Sequence, residues 1–495
     1  MQSITYWNTA LTFTSFSYFV LLFATAMLVV PTRGRLRLSI LLGASYVLAF
    51  YAGDGTWYVP AVLFGVTLVT YIFGIGVGAA RSESVRRWLC FAAIGFNVAV
   101  LILARFAAAG TVQGNVVMGL LSARHDAFGA SPFVSIGISY YTLQGISYLI
   151  DVRLGLVEPE RHLGRFALYL CFFPKFMQGP IERAGSLLPR LRVPHRSSYE
   201  DVKTGLIRIA CGLVKKLVVA DRLADYVDPV FASVGSYGGA VFPLATVAFA
   251  IQIYFDFSGY TDIALGSARL LGIDLTENFD RPYSARSVPE FWRRWHISFS
   301  RWILDYIFKP LQIVWRDAGR WGTALALVAT FLLSGLWHGS AWGFVVWGLL
   351  HGLYMASSVI FRTFRSRLAS RFGLESRPGL HAAMQRTLTF ALICLAWVFF
   401  RAPTLSSAWF MIKGTFSPTK NLGELAMAWG EFNFALLVLV LVATFVVWLV
   451  RRRVDFFAFM SSQPRWLRWA YYYALILSIL LFGNFKHTPF LYANF

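Results

Sequence analysis

Charged residues are scarce in this sequence. Only 14% of its 495 residues are Asp, Glu, Lys or Arg, against roughly a quarter in soluble domains, which excludes an ordinary water-facing surface. Cysteine is nearly missing as well. Cys90, Cys171, Cys211 and Cys394 are scattered through apolar or helical stretches without paired spacing, so they read as packing residues, neither a disulfide framework nor a metal site. No phosphate-cradling glycine loop is present, which argues against a nucleotide-driven pump. Internal repeats and low-complexity linkers are absent too. The first residues, Met1 to Ala10, lack a basic n-region, and the first apolar run ends at a basic loop without a small-residue cleavage site. The first span is therefore expected to stay in the mature protein.

What the sequence holds in abundance is apolar surface: 57% hydrophobic and 17% aromatic residues. Apolar runs lie near Leu11 to Val30, Leu38 to Tyr51, Trp57 to Ala80, Trp88 to Ala108 and Phe133 to Ile150, and later near Ile303 to Val314, Thr323 to Leu336, Thr387 to Phe400, Phe434 to Val450 and Trp469 to Phe485. With the stretches described below they give about a dozen full or partial crossings by the length criterion. The expected fold class is an all-α polytopic membrane protein, one integral-membrane domain over residues 1–495, with N-terminal spans in 1–132, a core in 133–361 and C-terminal spans in 362–495. The net charge of +21 does not point to nucleic acid, because the basic residues sit in short segments between apolar runs, where they set topology and meet anionic lipid headgroups. Arg33, Arg35 and Arg37, then Arg81, Arg86 and Arg87, mark inside loops. That pattern places the N-terminus outside, and alternation places the C-terminus outside too.

Several stretches break the apolar pattern. Phe166 to Pro180 is short and carries two prolines, a lysine and a glutamine, which predicts a re-entrant or interfacial segment. Ile181 to Lys203 is strongly basic, and Lys215 and Lys216 interrupt Leu206 to Val219. Phe242 to Leu271 begins as a span and then acquires Gln252, Asp256, Ser258, Thr261 and Asp262, a face that must point into protein or a water-filled cavity. In Arg281 to Arg301, arginines interleave with Trp292, Trp295 and Trp302, as suits a helix lying in the headgroup layer.

The most informative stretch is Phe331 to Gly352, FLLSGLWHGSAWGFVVWGLLHG, a membrane-length apolar run holding His338 and His351. An ionisable side chain inside such a run either faces a functional cavity or bridges helices by hydrogen bonds. Histidine can take a proton from a hydroxyl and return it within one turnover. Metal binding is the rival use, but His338 and His351 are too far apart for consecutive helical turns, and no close His or Cys spacing accompanies them.

At this point the sequence resembles a known family. DFSGYTDIALGSARLLGIDLTENFDRPYSARSVPEFWRRWHISFSRWILDYIFKPL, Asp256 to Leu311, and SGLWHGSAWGFVVWGLLHG, Ser334 to Gly352, resemble the membrane-bound O-acyltransferase (MBOAT) family. The likeness is closest to the bacterial branch that includes the alginate O-acetylation membrane protein and the D-alanyl transfer protein of teichoic acid synthesis. FFPKFMQGPIERAGSLLPRL, Phe172 to Leu191, and the ending PFLYANF are similar to that branch as well. The resemblance implies an MBOAT-type bundle, with re-entrant and interfacial helices around a central tunnel. His338 matches the family's invariant histidine in that tunnel, and His296 matches a second. It further implies that Asp256, Tyr260, Asn278, Arg281, Trp292, Arg293, Trp295, Asp305 and Trp337 line or brace the substrate path. His351 matches too, as a binding residue or a brace for its helix. Ala493 and Asn494 stand where relatives often carry Phe and Gln, which leaves a docking role for the terminus unsupported.

These readings converge on an O-acyltransferase of the bacterial inner membrane. The expected donor substrate is acetyl-CoA, with no bound cofactor and no metal. The expected partners are the bilayer, an extracytoplasmic acyltransferase protein and, indirectly, a secreted or cell-surface polysaccharide. Two alternatives stand beside this: D-alanyl or another acyl group donated by a carrier-protein thioester, and, from a different class, a glycan or lipid transporter.

Overall fold

Each backbone N–H and C=O in lipid must be bonded within the protein, which restricts an apolar chain of this kind to helices. The computed structural model describes residues 13–52, 55, 57–110, 137–193, 197–339, 341–421, 423, 459–460 and 462–485. Among these there is no β-strand, only a single bridge between Gly238 and Lys420. Seven helices among the described residues are long and apolar enough to cross a membrane: Gly34–Ala52, Tyr58–Ala79, Glu83–Ala104, Val241–Leu270, Arg316–His338, Trp342–Ile360 and Pro378–Arg401. Phe16–Val29 is a shorter apolar helix. The chain is a polytopic, all-helical membrane protein.

Several apolar runs among the described residues do not give helices of membrane-crossing length and apolarity, for physical reasons. Phe133 to Ile150 yields the helix Ile138–Arg153, only 16 residues long and buried along nearly its whole length by other protein. Leu206 to Val219 changes from α-helix to π-helix at Val214, and Ile303 to Val314 is likewise broken by a π-helical turn at Leu304–Phe308. Trp469 to Phe485 lies on Arg465–Phe482, whose first half is rich in Arg, Trp and Tyr, residues suited to the interface. Phe434 to Val450 and the terminal PFLYANF motif lie outside the described residues.

The chain divides into two compact units, Met1–Ile209 with Tyr260–Thr276, and Ala210–Gly259 with Glu277–Phe495. In the first unit, Arg37 donates to the Leu271 carbonyl at 2.7 Å, and the Tyr18 hydroxyl donates to Ser267 at 2.9 Å. Glu160 takes ion pairs from Arg192 at 2.9 Å and Arg165 at 3.4 Å, fixing the basic segment that follows. Phe166 to Pro180 folds as the short helix Leu163–Cys171 and a 3-10 turn at Phe173–Lys175. Every residue from Phe166 to Pro180 is buried. Inside it the Lys175 ammonium donates to Gln144 Oε1 at 2.7 Å and to the Leu170 carbonyl.

The second unit holds a buried charge cluster. Lys216, on the π-helical segment Val214–Ala220, contacts Asp221 and Asp256, each at 2.8 Å. Its most closely joined elements are Gly319–His338 and Trp342–Ile360, which form a tight antiparallel hairpin. A Cβ built on Gly335 would lie 2.3 Å from the Phe344 carbonyl oxygen, one on Gly348 would lie 2.4 Å from that of Phe331, and one on Gly352 would lie 2.8 Å from Val328 Cα. Small residues let two helix backbones approach this closely, and the van der Waals contact they permit replaces a hydrophobic driving force that lipid does not supply. A Cβ built on Gly343 would lie 2.4 Å from the Phe399 carbonyl oxygen of Pro378–Arg401, so a glycine there lets a third helix sit on the hairpin.

Gly348→Val is therefore expected to lower stability by about 1–3 kcal/mol through overpacking, read as a fall in the thermal unfolding midpoint of the purified protein in detergent. Gly95→Ala, whose new Cβ would meet nothing within 4 Å, serves as the control. Equal midpoints for the two variants would contradict the close helix contact.

Candidate active site

His338 is the last residue of the helix Gly319–His338, and it is buried. Four aromatic rings surround its imidazole: Trp337 at 4.7 Å between ring centres, Trp347 at 4.9 Å and perpendicular, Phe400 at 5.5 Å and Phe299 at 5.9 Å. They come from three helices and a neighbouring short one, so the glycine contacts of the hairpin and of Pro378–Arg401 set this cage directly. The walls of this cage are apolar. The C-terminal position adds a polar feature. The last carbonyls of a helix carry partial negative charge, which stabilises a cation formed there transiently.

His296 sits between two short helices, Val288–Arg294 and Ile297–Ile303, with a left-handed backbone at φ 43° and ψ 55°. Asn278 fixes this corner. Its carbonyl accepts the Ile297 N–H at 2.9 Å, and its Oδ1 accepts the Ser298 N–H at 3.1 Å. A bulky residue in the left-handed region costs on the order of 1 kcal/mol or more and persists only where its surroundings enforce it. The His296 ring packs against Phe257 at 4.7 Å and Phe299 at 5.2 Å. Phe299 in turn stacks on Trp337 at 4.5 Å, so one phenyl ring connects the two histidines. Burial pushes the His296 imidazole down to about 3, which keeps it neutral at physiological pH.

His351, fully buried on Trp342–Ile360, accepts a hydrogen bond at Nδ1 from the Trp292 indole N–H at 3.1 Å. Its ring lies 4.9 Å from Trp347. The structure thus brings His338, His296, His351, Trp292 and Trp337 into one aromatic cluster, braced by Asn278. Trp295 belongs to the packing around it, between Phe291, Phe279 and Trp397. Arg281 and Asp305 are ion-paired near the surface, to Asp280 and Lys309 respectively, and Arg293 is exposed. Asp256 is bound to Lys216. Tyr260 belongs to the first unit, where its hydroxyl accepts the Gln178 N–H at 2.8 Å.

The polar face predicted on Phe242 to Leu271 is indeed turned into protein. Asp256 pairs as described, and Asp262 pairs with Arg208 at 3.0 Å. Gln252 Oε1 and Ser258 Oγ are buried without a hydrogen bond among the described residues. Sequence reasoning missed Trp347, Phe299 and Phe400 as parts of the cage. Trp347 was within reach, lying one helical turn before His351, whereas Phe400 is distant in sequence and carries no polar signal.

Apolar helices of membrane-crossing length, with histidines buried at the end of a glycine-tight hairpin, define an integral-membrane protein with polar side chains held in its interior. Residues 160–399 match the family model for MBOAT, the membrane-bound O-acyltransferase family. The protein named "Probable alginate O-acetylase AlgI" of Pseudomonas aeruginosa is 36% identical over 406 residues, covering 80% of this chain and 72% of the relative. The peptidoglycan O-acetyltransferase of Helicobacter pylori is 30% identical over 401 residues, 74% of this chain and 72% of its own. The teichoic acid D-alanyltransferase of Bacillus subtilis is 28% identical over 243 residues, 47% of this chain and 60% of its own. The chain belongs to the MBOAT family and is an O-acyltransferase, which sets the transporter reading aside.

Asn278→Ala removes the acceptor of a buried N–H, and a loss of about 1–3 kcal/mol is expected. Thermal unfolding of the purified protein should show a lower midpoint, together with weakened acyl transfer as His296 leaves its corner. An unchanged midpoint would show that Asn278 does not hold this turn.

Proposed function

We propose that this chain moves an acetyl group from cytoplasmic acetyl-CoA across the inner membrane, for O-acetylation of a secreted or cell-surface polysaccharide, with His338 as general base. The observation that carries the reading is the position of His338, buried in an aromatic cage at a helix C-terminus within the segment that matches the acyltransferase family. Two relatives with broad coverage are named for O-acetylation of alginate and of peptidoglycan, both of them polysaccharide-containing acceptors.

A thioester is already activated, so the enzyme has two tasks, positioning and proton removal. The acceptor hydroxyl attacks the carbonyl carbon while His338 takes its proton. The resulting imidazolium lies at the negative end of its helix, and it returns the proton to the departing thiolate. No acyl-enzyme is needed in this scheme. The aromatic walls limit access of water, the competing nucleophile. Exposed basic groups, including Arg293 and the helix Arg362–Arg371, suit the phosphates of coenzyme A on the cytoplasmic side. The first acceptor is an extracytoplasmic acyltransferase protein that passes the group to the polymer, and both chain termini lie on that outer side. The alternative donor, a D-alanyl thioester on an acidic carrier protein, draws support from the D-alanyltransferase relative, over a smaller part of the chain.

Labelled acetyl-CoA supplied to the purified protein in nanodiscs, with candidate extracytoplasmic acceptors, should give labelled acceptor. His338→Ala should lower the rate by about 10²–10⁴-fold, the usual contribution of a general base, while donor binding persists. Full activity in that variant would remove His338 from the chemistry. Transfer from a D-alanyl carrier alone would change the donor and leave the base assignment in place.

A further inference from the structure

The helix Trp342–Ile360 carries more hydrogen-bonding capacity into the cluster than the base mechanism uses. Trp347 and His351 occupy one face, a helical turn apart, and both are fully buried. An indole N–H can only donate. The bond from Trp292 therefore requires His351 Nδ1 to be an acceptor, which makes the ring a neutral imidazole with its proton on Nε2. That Nε2–H is buried and has no hydrogen-bond partner among the described residues, and the same holds for the Trp347 Nε1–H and for Ser334 Oγ, one turn before His338. Leaving a buried donor unmet costs about 1–3 kcal/mol, and native interiors seldom do so without a use. Two unmet N–H donors on one helix face, with the Trp347 ring 4.9 Å from both His351 and His338, call for an oxygen acceptor beside the base.

We infer that the Nε2–H of His351 and the Nε1–H of Trp347 receive the carbonyl oxygen of the acyl group under transfer, and that Trp292 is the positioning residue that locks His351 in the donor tautomer. The inference rests on the acyl-transfer reading above and gives that site its second half. As the acceptor oxygen bonds to the carbonyl carbon and its proton passes to His338, the π electron pair of the carbonyl moves onto oxygen, where the two N–H groups hold the charge. The pair then returns, the C–S bond breaks, and the thiolate leaves with the proton from His338. Donors fixed before reaction and shielded from water stabilise such an oxyanion strongly.

The test uses the full chain in nanodiscs and exploits the different reach of two amides. His351→Asn keeps an acceptor for Trp292 but removes the Nε2–H, whereas His351→Gln restores a donor near Nε2. The Asn variant should lose about 10²–10³-fold in kcat, the typical cost of one oxyanion donor, with KM for acetyl-CoA and the unfolding midpoint nearly unchanged. The Gln variant should recover at least tenfold of that loss. Equal activity of both variants, or equal losses accompanied by lower midpoints, would overturn the inference in favour of simple bracing.

A readout independent of turnover separates this inference from the base assignment. The infrared carbonyl band of acetyl-CoA labelled with ¹³C at the carbonyl should be red-shifted when bound to His338→Ala. That shift should shrink in His338→Ala combined with His351→Asn. A red shift that survives the second substitution would overturn the donor role while leaving the acetyl donor intact. Absence of any bound acetyl band would overturn the acetyl-CoA reading, and the inference with it.

Discussion

A polar group enclosed by apolar side chains is expensive until it acquires a partner, and that cost organises this protein at every level. It forces the backbone into helices. It also explains why Lys216 is gripped by Asp221 and Asp256 at 2.8 Å each, and why Asp262 takes Arg208 and Glu160 takes Arg165 and Arg192. Removing a carboxylate from the fully buried Lys216 cluster leaves an uncompensated charge, at a cost of about 3–5 kcal/mol. Among the described residues, the buried groups without a hydrogen-bond partner include three beside His338, namely Ser334 Oγ, Trp347 Nε1 and His351 Nε2. Those three differ from the paired charges in that they adjoin the histidine proposed as the base.

The second organising factor is the hairpin of Gly319–His338 and Trp342–Ile360. Glycines at 335, 348 and 352 bring its backbones to contacts that no Cβ would permit, and the aromatic cage follows from that geometry. Trp347 stands between His338 and His351, each 4.9 Å away, because the hairpin register places it there. The tryptophans and phenylalanines are large and stiff, so a cage built from them holds its shape at little entropic cost. Packing, burial and proton chemistry thus converge on the same few residues.

Much of this was legible in the sequence. The long apolar runs at Leu38 to Tyr51, Trp57 to Ala80 and Thr387 to Phe400 each became membrane-length helices, since length and apolarity alone decide that outcome. His338 was legible because an ionisable residue in an apolar run is improbable without a purpose. The fate of Asp256 was less so. Its polarity required a partner, but Lys216 lies forty residues earlier in a stretch where π-helical geometry overrode a simple periodic reading. Phe400 and Phe299 were invisible as site residues, because an aromatic in a membrane segment carries no local sign of which cavity it lines. The left-handed backbone of His296 was equally hidden, since it depends on Asn278 from a distant loop.

The most direct test of the account is a cryo-electron microscopy map of the full chain in nanodiscs, bound to a non-hydrolysable analogue of acetyl-CoA. The account predicts that the acyl carbonyl lies inside the cage of Trp337, Trp347 and Phe400, its carbon beside His338 and its oxygen towards Trp347 and His351. An acyl group held elsewhere, with the cage filled by its own side chains, would contradict it.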